Sequence, residues 1–595
     1  MIALKGIERI EIEMETPVSL LVVDLDSGIY TKEILTPKGI VGMGGKSLGI
    51  LLLERFLDPS IDPLSPTNPI ILCSSPLASY AFPGSNRLAA FTKSPLTGAW
   101  LESYVGGSIS RTLRETCWDA VVIKGSSPDP CRVHIDPSGA TILPAEELWG
   151  LDAMETERRV VRAIGGRSAV LSIGPAGENL VTFAAVMHEE AHALGRGGLG
   201  AVFGSKHLKA LSVQSSGPSK RESSAAFAAS RLAISRLAME SPLSNNYRKF
   251  GTPMMVAIMN EAGAFPSDFW TKGRVPHRAS LEAEGWPDWA KVETDTCNPC
   301  PMRCRKRLTF LEGPEAGTSL HGPEYETLYV FGGSCMVKDA RDVARLNERC
   351  NRLGMDTISA GNILALAMKG KELGRISEGP TKGNVDELLV WLDAVAYRTP
   401  GLGAILSRGM DSAASELGIA ELSITSKGLD PAGYESRKMP GMALSYALSP
   451  RGACHLRTTF YKAELSGALK GLEARAFVDT FIDWENRLVL ADSLIMCRFY
   501  RDFLTWDQLC VAASELAGQA VTKVELQETC NDVLTRIRRL NFAMGLSPAD
   551  DSLPERFFSE ATDFAPALDR AKFEGWIHMY WEHRLWGADG FPPAP

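Results

Sequence analysis

The residues best equipped for chemistry lie between Thr296 and Lys306, in the run T-C-N-P-C-P-M-R-C-R-K. Three thiols, Cys297, Cys300 and Cys304, fall within eight residues, a density that core packing does not require, and basic side chains follow directly. Thiolates are soft ligands, and C-x2-C-x3-C spacing can lay three of them around one shared metal site. A cubane iron–sulfur cluster needs a fourth thiolate, which must then come from a distant part of the chain. Structural zinc is the rival, but its ligands more often arrive as paired C-x2-C units. Nine further cysteines are available: Cys73, Cys117, Cys131, Cys335, Cys350, Cys454, Cys497, Cys510 and Cys530. Most read as buried small hydrophobes, and spacing does not say which one completes the set.

A second constellation, His188-Glu189-Glu190-Ala191-His192, fits H-E-x-x-H, with Gly195 where the longer zinc-protease motif has its glycine. On a helix the two histidines would share a face, with Glu189 as general base. The third ligand of that motif falls at Gly198, and the segment runs straight into R-G-G-L-G, so the match reads as incidental. Glycine-rich turns recur in G-M-G-G-K-S-L-G from Gly42, V-G-G-S from Val105 and G-R-G-G-L-G from Gly195. Glycine lets backbone N–H groups approach a ligand closely, and together these loops suggest a cradle for a large polyanionic cofactor; each alone reads as a tight turn. Neither a Walker phosphate loop, since Ser205 precedes Lys206, nor a Rossmann fingerprint is present.

These residues must be positioned by a chain of 595 residues, long enough for several domain-sized units. Up to about Val213 the pattern is short apolar runs bounded by Gly, Pro, Asp and Ser, such as Val18 to Leu25, Pro69 to Ser74, Ala120 to Lys124 and Ala169 to Ile173. This predicts a β-rich domain over residues 1–213, opened by the alternating stretch Met1 to Met14, which has no signal-peptide apolar core. Gln214 to Ser224 is polar and rich in Ser, marking a boundary. Beyond it, Ala225 to Glu240, Asp339 to Leu353, Ile358 to Leu373, Val385 to Ala396, Ala476 to Ala491 and Leu526 to Leu540 carry helical spacing. A looser join near Lys427 to Pro440 divides this half into mainly helical domains over 214–434 and 435–595, the last ending in an F-P-P-A-P tail. The fold class expected is α+β. A net charge of −8 offers no global basic field for nucleic acid or an anionic membrane, and no run is long enough to span a bilayer, so a cytoplasmic location is expected.

At His321-Gly322-Pro323-Glu324-Tyr325-Glu326-Thr327 the chain, together with the cysteine run, resembles the tungsten-dependent aldehyde:ferredoxin oxidoreductase family. The likeness spans nearly the whole chain. It includes G-G-K-S-L-G from Gly44, D-P-L-S-P-T-N from Asp62, T-K-S-P-L-T-G from Thr92 and G-P-A-G-E-N-L-V from Gly174. It continues through G-R-G-G-L-G-A-V-F-G-S-K from Gly195, L-G-M-D-T-I-S-A-G-N from Leu353, R-G-A-C-H-L-R from Arg451 and A-D-S-L-I-M-C from Ala491. The resemblance implies a β-rich base domain, two largely helical domains above it, and a tungsten or molybdenum held between two pterins beside a [4Fe–4S] cluster. It further implies Cys497, closing D-S-L-x-x-C, as the fourth cluster thiolate, and places the His188 region at the approach to a pterin loop formed by Arg196, Gly197 and Gly198.

Two pterin-contacting motifs of the family map to N-R-L-G-M-D, from Asn351 to Asp356, and D-S-L-I-M-C, from Asp492 to Cys497. Asn351 stands where the family has an acid, and Ile495 where it has a glycine; an Asn can still hydrogen-bond a pterin nitrogen. Arg87 aligns with a pterin-site arginine. Tyr104 and Val105 precede Gly106 and Gly107 where relatives carry small polar residues that help hold a magnesium between pterin phosphates, which puts that ion's coordination in question. The resemblance implies oxidation of a small aldehyde to the acid, with Glu326 as general base, His455 as donor to the developing oxyanion and Tyr325 on the pocket wall. Arg457 reads as a pterin contact or an ion pair, and Cys454 as packing. Ferredoxin or another redox protein would accept the electrons, from a homodimer or a subunit of a larger complex. The alternatives are a tungsten aryl-CoA reductase of the benzoyl-CoA type, and an inactive electron-transfer or assembly subunit.

Overall fold

The computed structural model describes residues 17–36, 44–217, 221–297, 300–313 and 315–594. The expected N-terminal strand over Met1 to Met14 lies outside the described residues, as do Gly42 and Met43, part of the 214–224 join and Pro595.

The first half forms two six-stranded sheets. In one, β1 (Val18–Asp24), β2 (Ile29–Leu35), β3 (Ile70–Ser74), β4 (Leu88–Lys93), β5 (Trp100–Val105) and β6 (Ala120–Lys124) take the order β2-β1-β6-β3-β4-β5. In the other, β7 (Cys131–Asp136), β8 (Gly139–Pro144), β9 (Ser168–Ser172), β10 (Val186–His188), β11 (His192–Leu194) and β12 (Leu208–Gln214) take the order β11-β10-β9-β12-β7-β8. Side chains alternate between faces of a strand. Leu21 and Val23 therefore join Val133, Ile135, Leu171 and Leu211 in a core between the sheets, whereas Leu20 and Val22 face the helix Gly45–Phe56 and the helical half beyond it. This explains why the central strands read as unbroken apolar runs: β3 and β4 are buried on both sides.

After Gln214 the chain is mostly helical, and the periodic segments form helices at Ala225–Glu240, Ala340–Leu353, Thr357–Glu372, Val385–Ala396, Ala474–Ser493 and Lys523–Ala543. Two features differ from expectation. A three-stranded sheet of β13 (Ala290–Asp295), β14 (Arg305–Phe310) and β15 (Ser319–His321) is set within this half. It is short and charged, so its alternation carries little apolar signal. The second difference is the stretch 427–440, read as a looser join, where residues 429–437 are buried. Its Gly and Pro residues make tight turns through the core instead of a surface linker, and Glu435 and Arg437 form an ion pair at 2.8 Å with both side chains fully buried.

Candidate active site and metal centre

The small sheet organises the site. Cys297, Cys300 and Cys304 lie in the connection between β13 and β14, closed where Asp295 pairs with Arg305 in register and by an ion pair at 3.3 Å. β15 pairs with the other edge of β14 and runs directly into Pro323-Glu324-Tyr325-Glu326, so one sheet aims both the thiol loop and the carboxylate. Cys497 arrives from a distance, just beyond the helix Ala474–Ser493, with its N–H donating to the Gly84 carbonyl at 2.8 Å. All four thiols line one cavity of about 320 Å³, which also receives Arg87, Gly106, Tyr325, Glu326, Tyr434 and His455.

Among the described residues no three His, Cys, Asp or Glu side chains converge on one metal-ion position. Four thiols spread around a shared cavity suit a polynuclear cluster, in which each thiolate binds its own iron. The Gly107 N–H donates to Cys297 Sγ at 3.3 Å. Burial raises the Cys297 thiol to about 11 and pushes Cys300 and Cys304 upward as well, so these groups ionise on binding metal rather than before it. Gly106 and Gly107 are needed where they stand: a Cβ on Gly106 would meet Cys297 Sγ at 2.9 Å, and Gly107 has φ +96° with His188 at 2.6 Å from such a Cβ.

Glu326 sits in the one-turn helix Tyr325–Thr327, which passes into a π-helix over Leu328–Ser334, a form frequent at functional sites. Its Oε2 accepts from the Gly433 N–H at 2.8 Å, and Tyr325 donates its hydroxyl to the Gly433 carbonyl. Oε1 lies 3.3 Å from His455 Nε2, in a geometry that leaves Oε1 and His455 Nδ1 without hydrogen-bond partners. Burial lifts the Glu326 carboxyl to about 8. Burial, together with Arg196, Arg451 and Arg457, holds His455 well below its ordinary value. At neutral pH the pair is thus a protonated carboxyl beside a neutral imidazole. Tyr434 stacks on His455 at 5.5 Å and on Tyr461 at 4.2 Å, fixing the imidazole plane.

Arg196 is buried behind this wall. It donates to the carbonyls of Ala453 and Asp430 at 3.1 and 2.5 Å, and its Nε pairs with Asp356 Oδ2 at 3.5 Å without a hydrogen bond. Asp356 caps the helix Thr357–Glu372 through the N–H groups of Ile358 and Ser359, and Asn351 is buried at the end of Ala340–Leu353. Gly197 and Gly198, at φ +94° and +86°, pack against Leu101 and the Thr182 carbonyl. Arg87 donates to the Tyr104 carbonyl at 2.7 Å. Asp492 is held by Lys46 at 3.2 Å and by Arg457 and Arg498 at 2.6 Å each, while Lys46 and Arg457 also meet Glu102 at 3.1 and 2.9 Å. Arg457 is thus the ion pair of the two sequence readings. Cys454 accepts from Arg451 at 2.9 Å; Arg451, Arg457 and Arg196 outweigh burial and bring its thiol down to about 7.

The first glycine run turns out to be packing: a Cβ on Gly45 would lie 2.1 Å from the Asp492 carbonyl oxygen. Ile495, where the family resemblance implies a glycine, is buried with φ +54°, a left-handed backbone that a β-branched residue adopts only under strain. The H-E-x-x-H match is a hairpin turn, not a helix. His188 and His192 face each other across β10 and β11, and Glu189 and Glu190 take positive φ. Sequence reasoning missed Gly433, Tyr434, Tyr461, Tyr500, which meets the Cys300 thiol, and Thr252, whose hydroxyl accepts from the Tyr325 N–H at 2.9 Å. The aromatic and charged content of Gly433-Tyr434-Glu435-Ser436-Arg437 was the available signal, masked by its Gly, Pro and Lys surroundings.

Four thiols and a buried carboxyl–imidazole pair thus share one cavity. The chain belongs to the tungsten-pterin aldehyde ferredoxin oxidoreductase family: residues 20–215 match "Aldehyde ferredoxin oxidoreductase, N-terminal domain" and residues 231–594 match "Aldehyde ferredoxin oxidoreductase, domains 2 & 3". It is 32% identical over 566 residues to the tungsten-containing aldehyde ferredoxin oxidoreductase of Pyrococcus furiosus, covering 93% of each chain. It is 31% identical over 569 residues to that of Thermococcus kodakarensis, again covering 93% of each. Its fold is similar to the active site complex BamBC of benzoyl coenzyme A reductase, with TM-score 0.81, 20% identity, and coverage of 96% of this chain and 95% of that one. The protein is an oxidoreductase of the tungsten-pterin, iron–sulfur class that transfers electrons to a redox partner. No helix among the described residues is long and apolar enough to cross a membrane.

Proposed function

We propose that the protein oxidises an aldehyde, with water, to a carboxylic acid, releasing two protons and two electrons that pass to ferredoxin or a similar carrier. The observation that carries this reading is the Glu326–His455 pair, 3.3 Å apart, on the cavity that the four thiols also line. Cys297, Cys300, Cys304 and Cys497 would hold a [4Fe–4S] cluster. Arg87, Gly106, Gly107, Arg196, Gly197, Gly198, Asn351, Asp356 and Asp492 are assigned to the pterins, and Arg196 Nε, ion-paired with Asp356 but without a hydrogen bond, can still donate to a polar ligand there. The proposed division places the pterin cradle in 1–213, the three-thiol loop in 214–434 and Cys497 in 435–595. When bound, the pterin-held tungsten or molybdenum supplies a Lewis acid and two-electron acceptor.

The chain's own residues supply proton handling and orientation. In its ionised form Glu326 takes a proton from water or the hydrated aldehyde, and the Gly433 N–H holds that carboxylate in place. His455, neutral and clamped by Tyr434, presents a donor to the oxygen on which negative charge develops. The aromatic wall of Tyr325, Tyr434 and Tyr461 excludes water from the reacting carbon. The test is anaerobic turnover of purified protein with benzyl viologen: aldehyde-dependent dye reduction supports the proposal. Activity only with an aryl-CoA, or with neither substrate at normal metal content, overturns it.

A further inference from the structure

The hydroxyl of Tyr500 stands 3.4 Å from Sγ of Cys300. Tyr500 is fully buried, and its position is set by the chain segment that delivers Cys497. Its N–H donates to the Cys497 carbonyl at 3.0 Å, and its ring meets Phe503 edge-on at 6.1 Å. On the remaining side it lies against Gly84, where φ is +84° and a Cβ would come within 2.6 Å of the ring. The same Gly84 accepts the Cys497 N–H, so one glycine seats both the fourth thiol and the phenol. A free thiol and a phenol can each donate. A metal-bound thiolate has no proton to give, and the phenol then becomes the donor.

We infer that Tyr500 sets the reduction potential of the cluster by donating a hydrogen bond to the Cys300 thiolate. The inference rests on the assignment of the four thiols to a [4Fe–4S] cluster. Adding an electron puts more negative charge on the thiolate sulfurs, so a donor aimed at one of them stabilises the reduced state more than the oxidised state and raises the potential. When bound, the pterin-held metal would supply the electrons and the cluster would relay them to the carrier; the Tyr500 phenol keeps its proton, and no bond forms or breaks at Tyr500 or Cys300. Cys297 has a closer backbone donor in the Gly107 N–H at 3.3 Å and the His192 Nε2 at 3.8 Å, whereas Tyr500 is the side chain that meets Cys300. Tyr500 is therefore a positioning residue through which the side-chain sequence adjusts the relay.

The experiment compares anaerobically purified wild type and Tyr500→Phe, which keeps the ring and its packing. Iron content and the EPR signal of the reduced cluster come first, then a potentiometric titration followed by EPR. The expected result is an intact cluster whose potential falls by the equivalent of about a tenfold change in the one-electron equilibrium, about 59 mV. Pulsed EPR in D2O should lose one exchangeable deuteron in the variant while retaining the one from Gly107. Replacing Tyr500 with 3-fluorotyrosine, a stronger donor of nearly the same shape, should shift the potential upward. An intact cluster with unchanged potential in both variants, or shifts of the same sign, overturns the inference. Wild-type protein without iron overturns the cluster assignment itself.

Discussion

Replacing Glu326 with Gln keeps the shape of the side chain and a carbonyl oxygen for the Gly433 N–H, while removing the group that exchanges a proton beside His455. A positioned acid–base group contributes about 10²- to 10⁴-fold to rate, and a loss of that size in kcat/KM is expected. The pH profile is more discriminating. With the carboxyl raised to about 8 by burial, only about a tenth is ionised at pH 7 and about nine-tenths at pH 9, so wild-type kcat/KM should climb roughly tenfold between them and then level. The variant should be flat over the same range. The stability consequence has a definite sign. Between the ordinary carboxyl value of 4.5 and about 8 the folded protein binds more protons than the unfolded chain, so this group's contribution to stability falls as pH rises through that window. Moving a carboxyl that far corresponds to at most roughly 5 kcal/mol, of which a side chain 16% exposed realises a part. Above pH 8 the Gln variant should therefore be the more stable of the two. The assays are initial rates of viologen reduction from pH 6 to 10 and denaturant midpoints at pH 5 and 9, on protein of matched metal content. A variant within threefold of wild type that keeps the pH rise would refute the reasoning.

His455→Gln should lower kcat/KM by about 10²-fold with little change in KM, because the donor acts on charge that develops during reaction; steady-state kinetics with several aldehydes check this. Cys497→Ser should abolish the reduced-cluster EPR signal and lower iron from about four per chain, whereas Cys454→Ser, whose sulfur is occupied by Arg451, should retain both. Asp492→Asn leaves Arg498 without its carboxylate and Lys46 and Arg457 with Glu102 alone in a buried network, and should cost roughly 3–5 kcal/mol, read as a lower denaturant midpoint.

The helices and strands were legible because burial imposes a period. β3 and β4, buried on both faces, appear as apolar runs, and the helices from Ala225 onward carry spacing that matches their observed limits closely. The three-thiol loop announced itself by density. The pairing of Asp295 with Arg305 that closes it did not, because a short charged hairpin has almost no apolar alternation to read. The run of glycines from Gly42 was ambiguous for a related reason: glycine marks a close approach without saying to what, and at Gly45 the neighbour is the Asp492 backbone.

By its residue types and motif order the sequence alone determined the α+β class, the family, the cluster run and the identity of Glu326 and His455 as the acid–base candidates. Tertiary structure decided what those residues are to one another. Glu326 is an ordinary carboxylate until burial raises it to about 8, and His455 an ordinary imidazole until burial, with Arg196 from a distant segment and Arg451 and Arg457 from its own, holds it neutral. Tyr434 lies in a stretch that looked like a linker, and Tyr500 is an unremarkable aromatic until the chain brings it 3.4 Å from a thiol 200 residues away. Charge, proton affinity and donor direction depend on through-space neighbours and on exclusion of water, and neither is encoded in the local pattern from which secondary structure is read.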